Sequence, residues 1–596
     1  MKKLLFGMNG GRVVARRGLL DRGETGFVKQ ARRHISGIAV VLFITIWVAA
    51  NLAWLLENRA GQPHNIDEDG YFAMALNNYF GGVRSGPSGW FDTVLAPGVQ
   101  APLTSALSSI LFLAFGPTFA SAMAVVVLLA ALSLGLTAVI AKQFGSKPLI
   151  WISLILLATS PGFIQMTRLY YFAIPATAAT VATAYALMRT KQMTSWRWAI
   201  VLGICIGLMP LSRTMALAFI PGIAVVVLAQ VVFARDGRGR RLINTGIAIT
   251  ASLLVAGMWL LPSGTLVFEY LTSYGYGAHS EEYARSTTTM LSSTILSLTS
   301  MLYLPHFLII LLGWACALGV CLKFARRGRR LEAVRIAVAS PVFACALMVV
   351  VGCFAIATSE NGGVGFCLPL IPLAIVVASW GFVSVLVRDR QRGLQAVVIA
   401  TLLVLPLVIS TQSFFVNSPL ARERTIDIPG VSGLMVTQDL AVNPAYLDTT
   451  AGVISDRDSA PGWRVANEFV ADRITRVPTT ASVAFGFRHH FFNVNSVQVP
   501  VLYRLEYGIG VAQVDPTTIP DSLLGYKEWL ESGPASTTCW LLTSPSGINE
   551  FEPRIDTSSL VRAAVSVGFD IDAEFDLPDG RSVTMWKSPS PLCAVD

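Results

Sequence analysis

From Ile35 to Phe415 the chain alternates long apolar runs with short polar or basic turns. The first run, Ile35–Leu56, has about the ~20 residues that a membrane-spanning helix needs. No small-residue cleavage site follows it, so an uncleaved first span is predicted. The same pattern predicts spans at 119–141, 148–164, 170–188, 199–212, 215–234, 243–262, 299–322, 336–357, 364–387 and 394–415. Pro102–Phe115 is apolar but short, and counting it as a crossing breaks the parity of the basic loops. It is expected to be a re-entrant or interfacial segment. The fold class is therefore a polytopic α-helical membrane protein of about 11–12 spans at about 20 residues each.

After Phe415 the pattern changes. Amphipathic pieces (Trp463–Ile474, Ser559–Val567) alternate with β-rich runs at Ser482–Phe487, Thr538–Leu542, Ile571–Phe575 and Ser582–Trp586, separated by turn residues such as Pro578-Asp-Gly580. A soluble α/β domain over 417–596 is predicted, beyond a basic N-terminus at 1–34 and a transmembrane domain at 35–416.

Composition agrees. Of 596 residues 53% are apolar and 14% charged, against about a quarter charged in soluble domains. The net charge of +9 divides unevenly, because residues from Asn417 onward carry 13 basic and 22 acidic side chains. The remaining basic residues sit in short loops between apolar runs, which is the positive-inside signature and not a nucleic-acid footprint. Lys142/Lys147, Arg189–Arg197, Arg235–Arg241, Lys323–Arg335 and Arg388–Arg392 read as cytoplasmic. The loops 57–101 and 263–298 and the C-terminal domain then fall on the outer face of the cytoplasmic (inner) membrane. Eight cysteines show no metal spacing. Cys539 and Cys593, both in the domain placed outside, could form a bridge or remain one buried and one free thiol.

The acids narrow the chemistry. Of the 14 in the membrane half, Asp21, Glu24, Asp236, Glu332 and Asp389 read as cytoplasmic, and the rest fall on the outer side. None lies mid-helix, where ion-coupled transporters bury carboxylates. Asn65-Ile-Asp-Glu-Asp-Gly-Tyr71 gathers three of them just after the first span. Such a triplet complements a helix N-terminus. It also supplies a general base, Asp67, with Glu68 as its neighbour and Asp69 as a candidate ligand for a divalent cation such as Mg or Mn. Phe72–Phe80 reads as an amphipathic helix on the membrane that would hold these acids at its surface.

Arg213 interrupts Ala199–Ala234, which has no other charge, and suits a phosphate. Arg168, with Tyr170 in Arg168-Leu-Tyr-Tyr-Phe172, reads equally as a binding wall or an aromatic belt. His279 with Glu282, in the second outer loop, could ligate a metal, although a solvated loop explains them as well. His489-His490 reads as domain surface. There is no Walker A, GxSxG or HExxH motif.

Asp67-Glu68 with Tyr71, after a cytoplasmic N-terminus and one helix, resembles the GT-C glycosyltransferases, in particular the aminoarabinose-transferase and protein O-mannosyltransferase branch. Gln100-Ala-Pro-Leu103, Thr159-Ser-Pro161, Gly207–Phe219, Tyr303-Leu-Pro305 and Gly365–Pro372 follow in that branch's order, over roughly residues 35–380. The resemblance implies transfer of a sugar from a polyprenyl-phosphate donor to an envelope glycan, lipid or protein acceptor. It makes Asp67 the general base, Glu68 its neighbour, and Arg213 a donor-phosphate ligand, with Tyr71 and Gln100 in the substrate site. Gln100-Ala101 replace a usual His/Lys-Pro step, and Gly365-Phe366 a common Arg-Tyr, so donor specificity does not carry over. Sparse Lys and abundant Arg, Ala and Val fit a GC-rich bacterium; for such an organism the resemblance implies a mannosyl- or arabinosyltransferase of the cell envelope. The competing expectations are a non-enzymatic envelope assembly protein and a lipid-linked sugar flippase or transporter.

Overall fold

The structure is a computed structural model. It describes residues 26–593 apart from 60, 235, 278, 281–289, 326–329, 360, 362, 364, 387–402, 409, 411–423, 430, 438–459, 478–481, 517, 546–554 and 591–592. The helices of the membrane half are α1 (Gly26–Asn58), α2 (Ile66–Val94), α3 (Leu103–Phe115), α4 (Phe119–Lys142), α5 (Lys147–Ala158), α6 (Pro161–Thr167), α7 (Ala173–Arg189) and α8 (Trp196–Ser212). A 3-10 turn, Thr214–Phe219, leads into α9 (Ile220–Val232), and α10 (Arg238–Tyr276), α11 (Met290–Ala325), α12 (Arg330–Val338), α13 (Pro341–Ala357) and α14 (Ile371–Leu386) complete the bundle. The chain is a multi-pass membrane protein.

The predicted apolar runs are helical over most of their described residues. Among the described residues six helices are long and apolar enough to cross, or seven with the bent pair α5–α6. Most other predicted spans are helices too, but short ones, since proline and kinks divide the runs; 394–415 lies largely outside the described residues. Pro161 opens α6 after a 60° bend. Gly162 there lies against the backbone of Met301, where a Cβ would come within 2.6 Å of the carbonyl oxygen, so a side chain would push α6 off α11. Leu103–Phe115 is a 13-residue helix, about 20 Å long at 1.5 Å per residue and too short to cross.

Two elements depart from the sequence reading in ways that build the site. The apolar face of α2 was expected on the membrane. Instead Phe72, Ala75, Leu76 and Phe80 are buried in the protein, with Phe72 edge-on to Phe112, Phe119 and Tyr170. The span expected to stop at Pro262 continues as α10, 39 residues or about 58 Å. That exceeds the ~30 Å hydrocarbon layer, and the added turns carry Tyr270, Tyr274 and Tyr276 to the cavity at the end of the bundle.

The C-terminal region holds a two-stranded ribbon, β1 (Arg424–Ile428) with β2 (Val431–Thr437), and a five-stranded sheet. That sheet is built from β3 (Ser482–Phe485), β4 (Gly510–Gln513), β5 (Trp540–Thr543), β6 (Asp570–Asp576) and β7 (Ser582–Lys587) in the order β4-β3-β5-β7-β6. β3 pairs parallel with β4 and β5, while β7 pairs antiparallel with β5 and β6. Successive residues face opposite sides. Val483, Phe485 and Trp540 join a core with α15 (Ala460–Ile474) and α16 (Val494–Leu505), whereas Ala484 and Leu541 pack with α17 (Leu523–Glu531) and α18 (Thr557–Ser566). Cys539 and Cys593 are joined as a disulfide. His489 is not surface: it is 1% exposed, stacked on Trp463 and 3.3 Å from Asp579.

Candidate active site

The end of α1, the start of α2 and the α6–α7 connection meet at Glu68, and the ends of α8, α10 and α13 meet around Arg213, which lies against Phe172 of the same connection. The acids of α2 are there. Asn65 caps α2 by accepting from the backbone N–H of Glu68, whose carboxylate accepts in return from the N–H of Asn65. This capping box fixes the first turn. Asp67, Glu68 and Asp69 then project in three directions, about 100° apart at 3.6 residues per turn, and meet three environments.

Glu68 points inward. It is fully buried, lies 2.7 Å from Arg59 Nη2 through both oxygens, and accepts from the backbone N–H of Tyr170 at 2.9 Å. Its carboxylate ties α2 to the end of α1 and to the α6–α7 connection. Arg59, not singled out in the sequence, is its counter-charge; a basic residue directly after the first span was the available signal. Asp69 is also buried and hydrogen-bonds His64 Nδ1 at 2.9 Å, with the His64 ring stacked on Phe119. Burial pushes its carboxyl above the ordinary range, opposed by that hydrogen bond.

Asp67 is half-buried and accepts from the Tyr171 hydroxyl at 2.7 Å. The tyrosine at the acid is thus Tyr171 and not Tyr170. Tyr170 is turned into the core, donating to Ser108 Oγ at 2.7 Å. A Tyr-Tyr pair at a helix start projects to two sides, and the sequence does not say which side is which. Tyr171 packs on Phe172 with ring centroids 3.8 Å apart. The Arg213 guanidinium lies against the other end of this row, 2.8 Å from the Phe172 centroid and 4.4 Å from that of Phe366. Arg213 ends α8 and its Nη1 is buried with no hydrogen-bond partner among the described residues. A buried donor of this kind costs free energy until an acceptor fills it.

Beyond Arg213 opens a cavity of about 190 Å³, lined by Thr214, Tyr270, Tyr274, Ser359, Asn361 and Phe366 among others. Tyr71 is buried near Phe172 and Asp67, and burial raises its phenol above the ordinary value.

The remaining candidates lie elsewhere. Arg168 is fully buried over the Trp54 ring at 3.9 Å, with Nε donating to Asn51 Oδ1 at 3.2 Å, so it braces α1 and does not face the cavity. Gln100 stands over Gly70, at the junction with the C-terminal domain. His279 lies 3.5 Å from Asp515 of that domain and stacks on Tyr274, and Glu282 is outside the described residues. The proposed cation ligands are not gathered. No three His, Cys, Asp or Glu side chains converge among the described residues, and Asp69 and His279 each have another partner.

Residues 99–262 match the family described as dolichyl-phosphate-mannose-protein mannosyltransferase. The structure is similar to that of ArnT from Cupriavidus metallidurans in the apo state, with TM-score 0.51 and 15% identity over 92% of this chain and 98% of that one. The same protein bound to undecaprenyl phosphate gives TM-score 0.51 and 14% identity over 94% and 99%. The arabinofuranosyltransferase AftD from Mycobacteria gives TM-score 0.51 and 13% identity over 93% of this chain and 40% of that one. Comparison with curated proteins finds no match. The chain thus shares the fold of ArnT and AftD, and residues 99–262 carry the mannosyltransferase family match.

Proposed function

We propose that the chain transfers a sugar from a polyprenyl-phosphate donor to an acceptor hydroxyl, with Asp67 as general base and Arg213 holding the donor phosphate. The observation that carries this reading is the row Asp67–Tyr171–Phe172–Arg213, which sets a carboxylate and a buried guanidinium at opposite ends of one aromatic wall. That ArnT has been seen with undecaprenyl phosphate supports the same donor chemistry. The acceptor oxygen attacks the anomeric carbon as the carbon–oxygen bond to phosphate breaks. The hydroxyl proton passes to Asp67, and polyprenyl phosphate leaves against Arg213. An envelope glycan, lipid or protein supplies the hydroxyl.

Purified protein incubated with labelled polyprenyl-phosphate sugars should transfer label from at least one; failure across mannosyl, arabinosyl and aminoarabinosyl donors, with folded protein, would sink the reading. In that assay Arg213→Ala should raise the donor KM by roughly ten- to a hundredfold, the scale of a lost hydrogen bond to a charged group, about 1.5–3 kcal/mol. Arg213→Lys should restore part of it. An unchanged KM in Arg213→Ala would detach Arg213 from the phosphate.

The reading places this face, and the C-terminal domain with it, outside the cytoplasmic membrane, as the basic loops imply. A cysteine introduced at exposed Ser532 should react with an impermeant thiol reagent in intact cells. Labelling only after lysis would invert the orientation.

A further inference from the structure

The first turn of α2 is gripped from the C-terminal domain as well as from the bundle. Asn493 caps α16, accepting from the backbone N–H groups of Asn495 and Ser496 at 2.9 and 3.1 Å, and its amide donates to the carbonyls of His489 and His490. The start of α16 is therefore stiff. It presents Asn495, whose Nδ2 donates to the Ile66 carbonyl at 2.8 Å. Ile66 is the first residue of α2 and immediately precedes Asp67. A carbonyl has two lone pairs, so the bond adds to the helical one without replacing it. The approach is close: a Cβ at Gly70, one turn on, would lie 2.9 Å from the same Nδ2 and 3.1 Å from Gln100 Nε2. A second tether, Tyr503 Oη to the Pro117 carbonyl at 2.5 Å, joins the other end of α16 to the start of α4.

Helix ends fray, and a misplacement of about 1 Å at a reacting group can cost about 10²-fold in rate. Besides the contacts of Asp67 with Tyr171 and of Asp69 with His64, three groups hold the backbone of this first turn. Asn65 caps it, Glu68 ties it to Arg59, and Asn495 is the one that comes from another domain, 429 residues away in sequence.

We infer that Asn495 is a positioning residue for the transfer reaction, holding the Ile66–Asp67 backbone so that the Asp67 carboxylate is presented to the acceptor. This makes the C-terminal domain part of the catalytic centre. The inference rests on the proposed role of Asp67, and the test separates the two.

Three variants are compared in the full-length enzyme with labelled donor. Asn495→Asp keeps the shape and, when ionised, loses the donor to Ile66. It should lower kcat between about ten- and a hundredfold, with the donor KM within twofold. Tyr503→Phe removes the tether that does not touch α2, and should leave kcat and KM near wild type. Asp67→Asn should lose about 10²-fold or more in kcat. An Asn495→Asp variant at wild-type kcat, beside that loss in Asp67→Asn, would overturn the positioning role alone. Equal losses in Asn495→Asp and Tyr503→Phe would reduce Asn495 to a docking contact and overturn it too. Full activity in Asp67→Asn would remove the base reading and this inference with it. If Asn495→Asp is poorly folded, Asn495→Ala is measured in its place under the same criteria.

Discussion

Asp67→Asn should fold normally and lose turnover by about 10²-fold or more, the usual scale for removing a positioned general base. The substitution keeps the size of the side chain and an oxygen to accept from Tyr171, so the contact at 2.7 Å can persist. What disappears is the basic site. Donor KM should stay within a few-fold, since the phosphate is assigned to Arg213 at the far end of the aromatic row. Turnover and donor affinity are thus expected to separate cleanly between the two ends, and a parallel loss of both in Asp67→Asn would argue against the division. Measurements of kcat and KM on detergent-purified protein, beside a thermal melt, read this directly. A variant that melts like wild type and still transfers at full rate would leave the α2 acids as helix-terminal charges only.

How far the sequence revealed this site follows from what kind of signal each part emits. Apolar runs and basic turns state membrane crossings, and the acidic triplet after the first helix was conspicuous because acids are scarce there. Which way each acid points was not legible. The capping box at Asn65–Glu68 is a local pattern, but the destination of Glu68 depends on Arg59 and on a backbone N–H 102 residues away. The same holds for Tyr170 and Tyr171, neighbours in the chain that face a buried serine and the catalytic candidate. The sequence set Arg213, alone in a long uncharged run, ahead of Arg168 beside its tyrosines, but did not say what either would face. Trp54 and Asn51 of the first helix take up one, and the cavity takes up the other. Asn495 emitted no signal at all, being an ordinary polar residue of a soluble domain. Only the docking of α16 against α2 gives it meaning.

Glu68→Gln should fail for a different reason from Asp67→Asn, and the contrast tests the division of labour within the triplet. Arg59 and Glu68 are 2% and 0% exposed as side chains, with nitrogen and oxygen 2.7 Å apart. Removing one partner of a buried ion pair typically costs about 3–5 kcal/mol, because the remaining charge is stranded away from water. In Glu68→Gln the Arg59 charge is left uncompensated, and the amide cannot accept from Arg59, Asn65 and Tyr170 together as the carboxylate does. The start of α2, the end of α1 and the α6–α7 connection should loosen together. Thermal stability is then expected to fall along with activity, and Arg59→Met should reproduce both losses to a similar degree, although Arg59 touches no part of the proposed reaction. Removing both charges in Arg59→Met/Glu68→Leu should cost less than the sum of the two single changes, since no lone charge remains. If Glu68→Gln instead melts like wild type but does not transfer sugar, while Arg59→Met stays active, then Glu68 acts on the reacting atoms and the base must be sought there and not at Asp67.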